Sequence, residues 1–299
     1  MTLCNVDFYV DGELYTTKTA IIGQVISQPK PPQKENYIFV GWYIDSVLVY
    51  EYDFSTMLVG DLQLHARFVP NAVELTNMLS TQTVKSLVSV NNKLYNTAMG
   101  GLLETASSTS QGSGVVVDIS GGYCYVLTNY HVIEVNADYE HQAITVEDPW
   151  GNEYSAKVYR NPYAPSLAMD ESYDLALLYF SYNPTTDIEL QEISLAKDPD
   201  AGDYVASLGT PGGQKNSITL GRVLSYEKLK GTDGDTEKVT FDIIYHSALI
   251  DHGSSGGPLV NTSGELVGLN FAGFESNNYG CAIPLSRINE FMEKYVYAK

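Results

Sequence analysis

From about residue 81 onward the chain is a succession of short apolar runs, at 86–90, 114–118, 123–128, 143–147, 175–180 and 204–208, separated by Gly, Pro, Asn and Ser. Runs of five or six residues are strand lengths, since a helix in a globular core needs roughly 10–12. Many short strands with turn residues between them predict an all-β barrel or sandwich. The abundance of Tyr and Gly and the 18% of charged residues agree, because aromatic residues favour pleated surfaces and glycines favour turns. At 299 residues the chain exceeds what one core comfortably fills, so two or three folding units are expected.

The first unit is a small β domain over residues 1–69. Val6, Phe8 and Val10 alternate with polar positions and run into Asp11-Gly12, a hairpin signal, with a second strand from Leu14 to Thr19. After a proline-rich stretch at 28–32, the segments 37–43 and 62–68 again read as strands. The opening VDFYVDGE, the central YIFVGWYID and the closing LQLHARFV resemble the B-repeat domains of internalin-like surface proteins. That resemblance implies a β-grasp-like sheet with Trp42 in its core, a structural role preferred over ligand binding. Residues 70–83 read as a linker with a short helix, and 84–299 as the second domain. Its final stretch carries Leu285, Ile288, Phe291, Met292 and Tyr295 at helical spacing.

Bulk properties exclude some functions. The net charge of -19 repels phosphate backbones, and no nucleic-acid partner is expected. Both the first 70 residues (8 acidic, 4 basic) and the remainder (28 acidic, 13 basic) are acidic. Cys4, Cys124 and Cys281 are too few and too scattered for a disulfide framework or a metal site, so free thiols and no metal are expected. No apolar run reaches the roughly 18 residues that span a bilayer, and no signal segment opens the chain. A trimmed start is one explanation; Cys4 as the mark of a lipid anchor is another, disfavoured because Thr2 and Leu3 are not the small residues that usually precede a lipidated cysteine.

Three motifs carry chemistry. The strongest is Asp251-His252-Gly253-Ser254-Ser255-Gly256-Gly257-Pro258. A nucleophilic serine needs a tight turn that exposes its hydroxyl while backbone N–H groups point at a developing oxyanion, and glycines permit such a turn. Gly253 and Ser255 are the expected donors. Alone, the string reads equally well as a flexible loop; the strands 259–260 and 266–270 that follow it favour the turn. The second motif ends a strand in Thr128-Asn129-Tyr130-His131, placing His131 as a general base, although a lone histidine there is more often structural. The third is Asp174 before the apolar run 175–178, where a buried carboxylate can orient an imidazole or merely cap a turn. Asp170 competes for that role but lacks the apolar strand. The order His, Asp, Ser is the chymotrypsin-type order.

GSGVVVD, YVLTNYHVI, DLALL, GSSGGPLVN with GELVGLNFA, and GCAIPLSRI resemble the HtrA/Deg proteases over residues 84–290. The resemblance implies a chymotrypsin-like double β-barrel, His131 and Asp174 from the first barrel and Ser255 from the second, an acyl-enzyme route and no cofactor. The PDZ domain that commonly follows in that family has no counterpart here, so regulation through it is not expected. Ser254 and His252 stand where asparagine and proline are usual, which bears on whether the oxyanion loop is preformed. By the same resemblance the substrate pocket is lined by Leu249 and by Asn270, Phe271 and Ala272. No acid there would receive Lys or Arg, so small or medium apolar residues are expected. A glutamate-specific pocket is the lesser alternative, kept open by His246 and His252.

The expected function is a bacterial serine endopeptidase, extracellular or at the cell surface, acting on protein or peptide substrates. Residues 1–69 are the expected tether or extracellular ligand site, and an oligomer is left open. Two other readings stand beside it: an inactive surface adhesion protein using the fold as scaffold, and an esterase with the same triad.

Overall fold

The computed structural model describes residues 1–298 except 102, 165, 184–188, 211–215, 230–238 and 275–278. The chain divides into two compact units, Met1–Leu75 and Thr76–Lys299.

The first unit is a four-stranded sheet of β1 (Leu3–Val10), β2 (Glu13–Ile21), β3 (Tyr37–Tyr43) and β4 (Leu62–Pro70) in the order β2-β1-β4-β3. β1 and β2 form a hairpin whose two turn residues, Asp11 and Gly12, have φ of 49° and 85°. This double left-handed turn matches the twist of the strands it joins, which is why Asp-Gly marks it in the sequence. β1 and β4 run parallel. Phe8, Trp42 and Leu64 are fully buried, and the Phe8 and Trp42 rings meet edge to face at 4.8 Å. Trp42 is a core residue of this sheet.

α1 (Ala72–Thr81) and a 3-10 turn (Thr83–Ser86) lead into the second unit. Its first sheet comprises β5 (Leu87–Ala98), β6 (Leu103–Ser120), β7 (Tyr123–Thr128), β8 (His141–Glu147), β9 (Glu153–Val158), β10 (Met169–Asp170) and β11 (Leu175–Ser181). Pairing of β11 with both β7 and β9 closes six of these strands into a barrel, with β10 lying outside β11. Its interior is filled by alternate apolar side chains such as Val88, Val90, Val126, Val146 and Leu178, as a small barrel requires.

The second barrel is the closed circuit of β12 (Tyr204–Gly209), β13 (Ser217–Lys228), β14 (Asp242–His246), β17 (Tyr279–Pro284), β16 (Leu266–Phe274) and β15 (Pro258–Val260). α2 (Leu285–Tyr295) follows and buries Leu285, Ile288, Phe291, Met292 and Tyr295, the periodic set read from the sequence. Several strands outrun their apolar runs, β5 and β6 most of all. β6 begins at Leu103, because the exposed Ser/Thr-rich stretch 104–111 continues the antiparallel ladder with β5 through backbone bonds that hydropathy does not register.

Candidate active site

His131 stands just beyond β7, in a turn closed by the Ile133 amide donating to the Tyr130 carbonyl at 3.0 Å. The next two residues, Val132 and Ile133, are buried in the first barrel's core and anchor the turn. Asp174 precedes β11, and the register Ala176↔Thr128 between β11 and β7 carries both residues to the same end of the sheet. The Asn129 side-chain amide donates to the Asp174 carbonyl at 2.9 Å, and the His131 backbone N–H donates to Asp174 Oδ1 at 3.0 Å. The His131 ring lies with Nδ1 at 2.8 Å from Asp174 Oδ2 and 3.1 Å from Oδ1. Two carboxylate oxygens can only accept, so Nδ1 carries the proton and Nε2 is left as the basic nitrogen. The Asp174 side chain is buried and that of His131 is partly exposed, so the acid is withdrawn from water while the base stays accessible.

Ser255 sits in two consecutive tight turns closed by Ser254 N–H to Asp251 O and Gly257 N–H to Ser254 O, both at 2.9 Å. Two glycines make this geometry possible. Gly256 has φ 84°, and a Cβ there would fall 2.1 Å from the Ser113 carbonyl. A Cβ on Gly112 would be 2.6 Å from Val132 and 2.9 Å from the Ser255 carbonyl. Gly112 is therefore clasped between the residue after His131 and the serine itself, which brings the two barrels together.

Ser113 joins them. Its N–H donates to Ser255 O at 2.7 Å and its hydroxyl to Gly253 O at 2.7 Å, while Thr210 N–H donates to that hydroxyl at 3.0 Å. From the other side Asn270 clasps the turn. Gly256 N–H donates to the Asn270 carbonyl at 2.8 Å, Asn270 N–H to the Gly257 carbonyl at 2.9 Å, and Asn270 Nδ2 to Gly257 O, Pro258 O and Ser207 Oγ. Among the described residues Ser255 Oγ makes one bond, a long one of 3.3 Å to the Phe271 carbonyl. Within the turn the amides of Ser254, Gly256 and Gly257 are committed to backbone carbonyls; those of Gly253 and Ser255 enter no hydrogen bond among the described residues.

The remaining expected site positions separate. Leu249 is 57% exposed, Phe271 is buried, and Ala272 is half-buried. Asn270 is wholly buried, and its side chain is spent on the nucleophile turn. Asp170 bonds Ser172, Lys294 and Tyr295. Ser254, the unusual residue before the serine, is buried with its hydroxyl accepting from Asp251 N–H at 3.2 Å, so it supports the turn. His252 is exposed.

In the sequence His246 is one of the two histidines that keep a glutamate-specific pocket open. Its ring is fully buried, reaching across Gly280, where a Cβ would lie 2.5 Å from Cε1. Burial pushes its pKa down to about 4. The neighbouring Ala248 backbone and Asn270 side chain pull the other way, but neither ring nitrogen, nor Asn270 Oδ1, gains a partner of normal hydrogen-bond geometry among the described residues. Register alone, His246↔Gly280 and Gly273↔Gly280, brings this histidine toward β16.

Two β-barrels packed through glycines, with a histidine–aspartate pair on one and a turn serine on the other, define the chymotrypsin-like class of folds. Comparison with known proteins narrows this. Residues 112–269 match the trypsin-like peptidase domain model, and the chain belongs to that family. Residues 5–67 match the Listeria-Bacteroides repeat domain. Among curated proteins, mouse serine protease HTRA4 is 33% identical over 62% of this chain and 35% of its own length. Serine endoprotease DegS of Escherichia coli is 29% identical over 74% of this chain and 57% of its own. A probable periplasmic serine protease do/HhoA-like of Haemophilus influenzae is 37% identical over 54% and 30%. The chain thus spans about a third to somewhat over half the length of these relatives. The crystal structure of the Rv3671c protease from M. tuberculosis, active form, shares the fold, with a TM-score of 0.56 at 24% identity over 76% of this chain and 88% of that one.

Proposed function

We propose that the protein is a serine endopeptidase with His131, Asp174 and Ser255 as its triad. The observation that carries the reading is the bonding of Nδ1 of His131 to the buried Asp174 carboxylate on the flank of the turn that presents Ser255. Nε2 of His131 takes the Ser255 proton as Oγ attacks the substrate carbonyl, and Asp174 stabilises the imidazolium. The uncommitted amides of Gly253 and Ser255 receive the oxyanion. Collapse of the tetrahedral intermediate returns the proton to the leaving amine, and water activated by the same histidine releases the acyl group. No metal or organic group is needed for these steps.

Exported or surface proteins outside the cytoplasm are the proposed substrates, with residues 1–69 as a tethering domain and 84–299 as the peptidase; the periplasmic naming of the Haemophilus relative supports that location. The buried Phe271 and half-buried Ala272 support an apolar pocket for the residue on the acyl side of the cleaved bond. Fluorophosphonate labelling of the full chain, read by peptide mass, tests the proposal. Modification at Ser255, absent from Ser255→Ala and His131→Ala, is expected together with casein cleavage. Casein turnover by Ser255→Ala equal to wild type would overturn it.

A further inference from the structure

Asp170, four residues ahead of Asp174, has a carboxylate that draws two elements together. Within its own turn it accepts from Ser172 N–H at 2.8 Å and Ser172 Oγ at 2.6 Å. From the last turn of α2 it accepts from Lys294 Nζ at 3.0 Å and from the Tyr295 hydroxyl. The Asp170 side chain is only 13% exposed. Burial pushes its pKa up, but the bonds from Ser172, Tyr295 and Lys294 outweigh that and hold it down at about 2, so the carboxylate is charged throughout the working range. Ring contacts follow the same path: the Tyr173 ring lies 6.1 Å from that of Phe291, and the Lys294 ammonium sits 5.5 Å over Tyr173.

The turn so held is one that needs holding. Asp174 has φ 52°, the left-handed region that a non-glycine residue keeps only where its surroundings enforce it. The turn's own backbone bonds are long, 3.3 Å from Tyr173 N–H to Asp170 O and 3.2 Å from Asp174 N–H to Glu171 O. Its stiffness therefore comes from outside: Asn129 and His131 bond Asp174 itself, and the bonds that reach the turn from α2 end on Asp170.

We propose that Asp170 is a positioning residue for the His131–Asp174 pair, fastening the turn that carries Asp174 to Lys294 and Tyr295 of α2, so that the C-terminal helix sets the geometry of the triad acid. This rests on the serine-protease reading above. Charged, hydrogen-bonded anchors of this kind hold a reacting group within a fraction of an ångström, and small misplacements are expensive in rate.

The test uses the full chain with Asp170→Asn, Tyr295→Phe and Lys294→Met, and Lys294→Arg as the conservative variant. Asp170→Asn is expected to lower kcat on the order of 100-fold and Tyr295→Phe about tenfold, each with KM within about twofold, because substrate binding is untouched. The acid limb of kcat/KM against pH should move down in both, since a displaced Asp174 stabilises the imidazolium less, and Lys294→Arg should restore the wild-type profile. The low-field proton resonance of His131 Nδ1–H should weaken in the same order. A wild-type acid limb and an unchanged resonance in folded Tyr295→Phe and Asp170→Asn would overturn the proposal, whatever the loss in Tm. If Asp170→Asn fails to fold, Tyr295→Phe, which removes one hydroxyl, decides. Ser255→Ala separates the two levels: activity there undoes the serine-protease reading itself, whereas inactivity there with unaltered Asp170 and Tyr295 variants undoes only this inference.

Discussion

The turn that carries Asp174 and the turn that carries Ser255 solve the same problem, holding one reactive residue in a tight turn, by different means. The acid turn is held through its carboxylates and one side-chain amide: Asn129 on its carbonyl, the Asp174 carboxylate on the His131 backbone N–H, and Asp170 gripped by Lys294 and Tyr295. The nucleophile turn is gripped along its backbone, with Ser113 and Asn270 bonding its carbonyls and amides through both main chain and side chain, and with glycines where no Cβ would fit. The first should respond to lost charge and lost donors, which alter chemistry more than stability. The second should respond to added atoms, which alter stability and chemistry together.

The largest expected effect is on the chemical side. Asp174→Asn keeps the shape of the turn but favours the wrong imidazole tautomer, and should cost on the order of 10⁴-fold in kcat with little change in the thermal midpoint. A large fall in the midpoint would show that the acid turn is held by packing after all. Gly256→Ala should be the mirror case. A methyl group 2.1 Å from the Ser113 carbonyl, on a residue with φ 84°, forces the barrels apart. Denaturant unfolding should show a loss of about 3 kcal/mol or more, along with loss of fluorophosphonate labelling. Normal stability in that variant would mean the turn relaxes at little cost, and the contrast would fail.

The acid dependence of stability offers a finer cut. His246 titrates near 4 in the folded chain against an ordinary 6.5, so at neutral pH it is uncharged in both states and contributes nothing. Below pH 6.5 the unfolded chain takes up a proton that the folded chain refuses. Stability should therefore fall between pH 6.5 and about 4, by about 3 kcal/mol in all. His246→Met should flatten that part of the profile in paired urea titrations; identical slopes would show that the ring gains a partner when charged. The smallest effect is expected at Ser254→Ala, which removes one acceptor from the Asp251 amide and should cost about 1 kcal/mol while labelling at Ser255 persists. Loss of labelling there would mean that Ser254, and not the glycines, presets the oxyanion donors.

Much of the local structure around this site is legible in the sequence, and the reason is short range. Asp11-Gly12 forms its turn because only certain residues tolerate two successive left-handed conformations, and the α2 face follows from helical period. The glycines around Ser255 and the apolar run after Asp174 are likewise demands of a few neighbouring residues. Asn270 shows where that reading stops. The family resemblance implies a pocket wall, while its side chain is turned to Gly257, Pro258 and Ser207, a choice made by the pairing of β15 and β16 and by the fit of β12 against them. Asp170 is similar: beside Asp174 in sequence it competes as a catalytic acid, and only the arrival of α2, 124 residues later, makes it an anchor instead.

By itself, then, the sequence determined the β class, the turns and the chemical identity and order of His131, Asp174 and Ser255, because these depend on residue type and short-range spacing. The tertiary structure alone decided which backbone amides stay uncommitted, which buried polar groups meet, and which carboxylate faces the imidazole. Those outcomes rest on strand register and barrel closure, where a shift of one residue reverses the face of every side chain and no local signal records the choice.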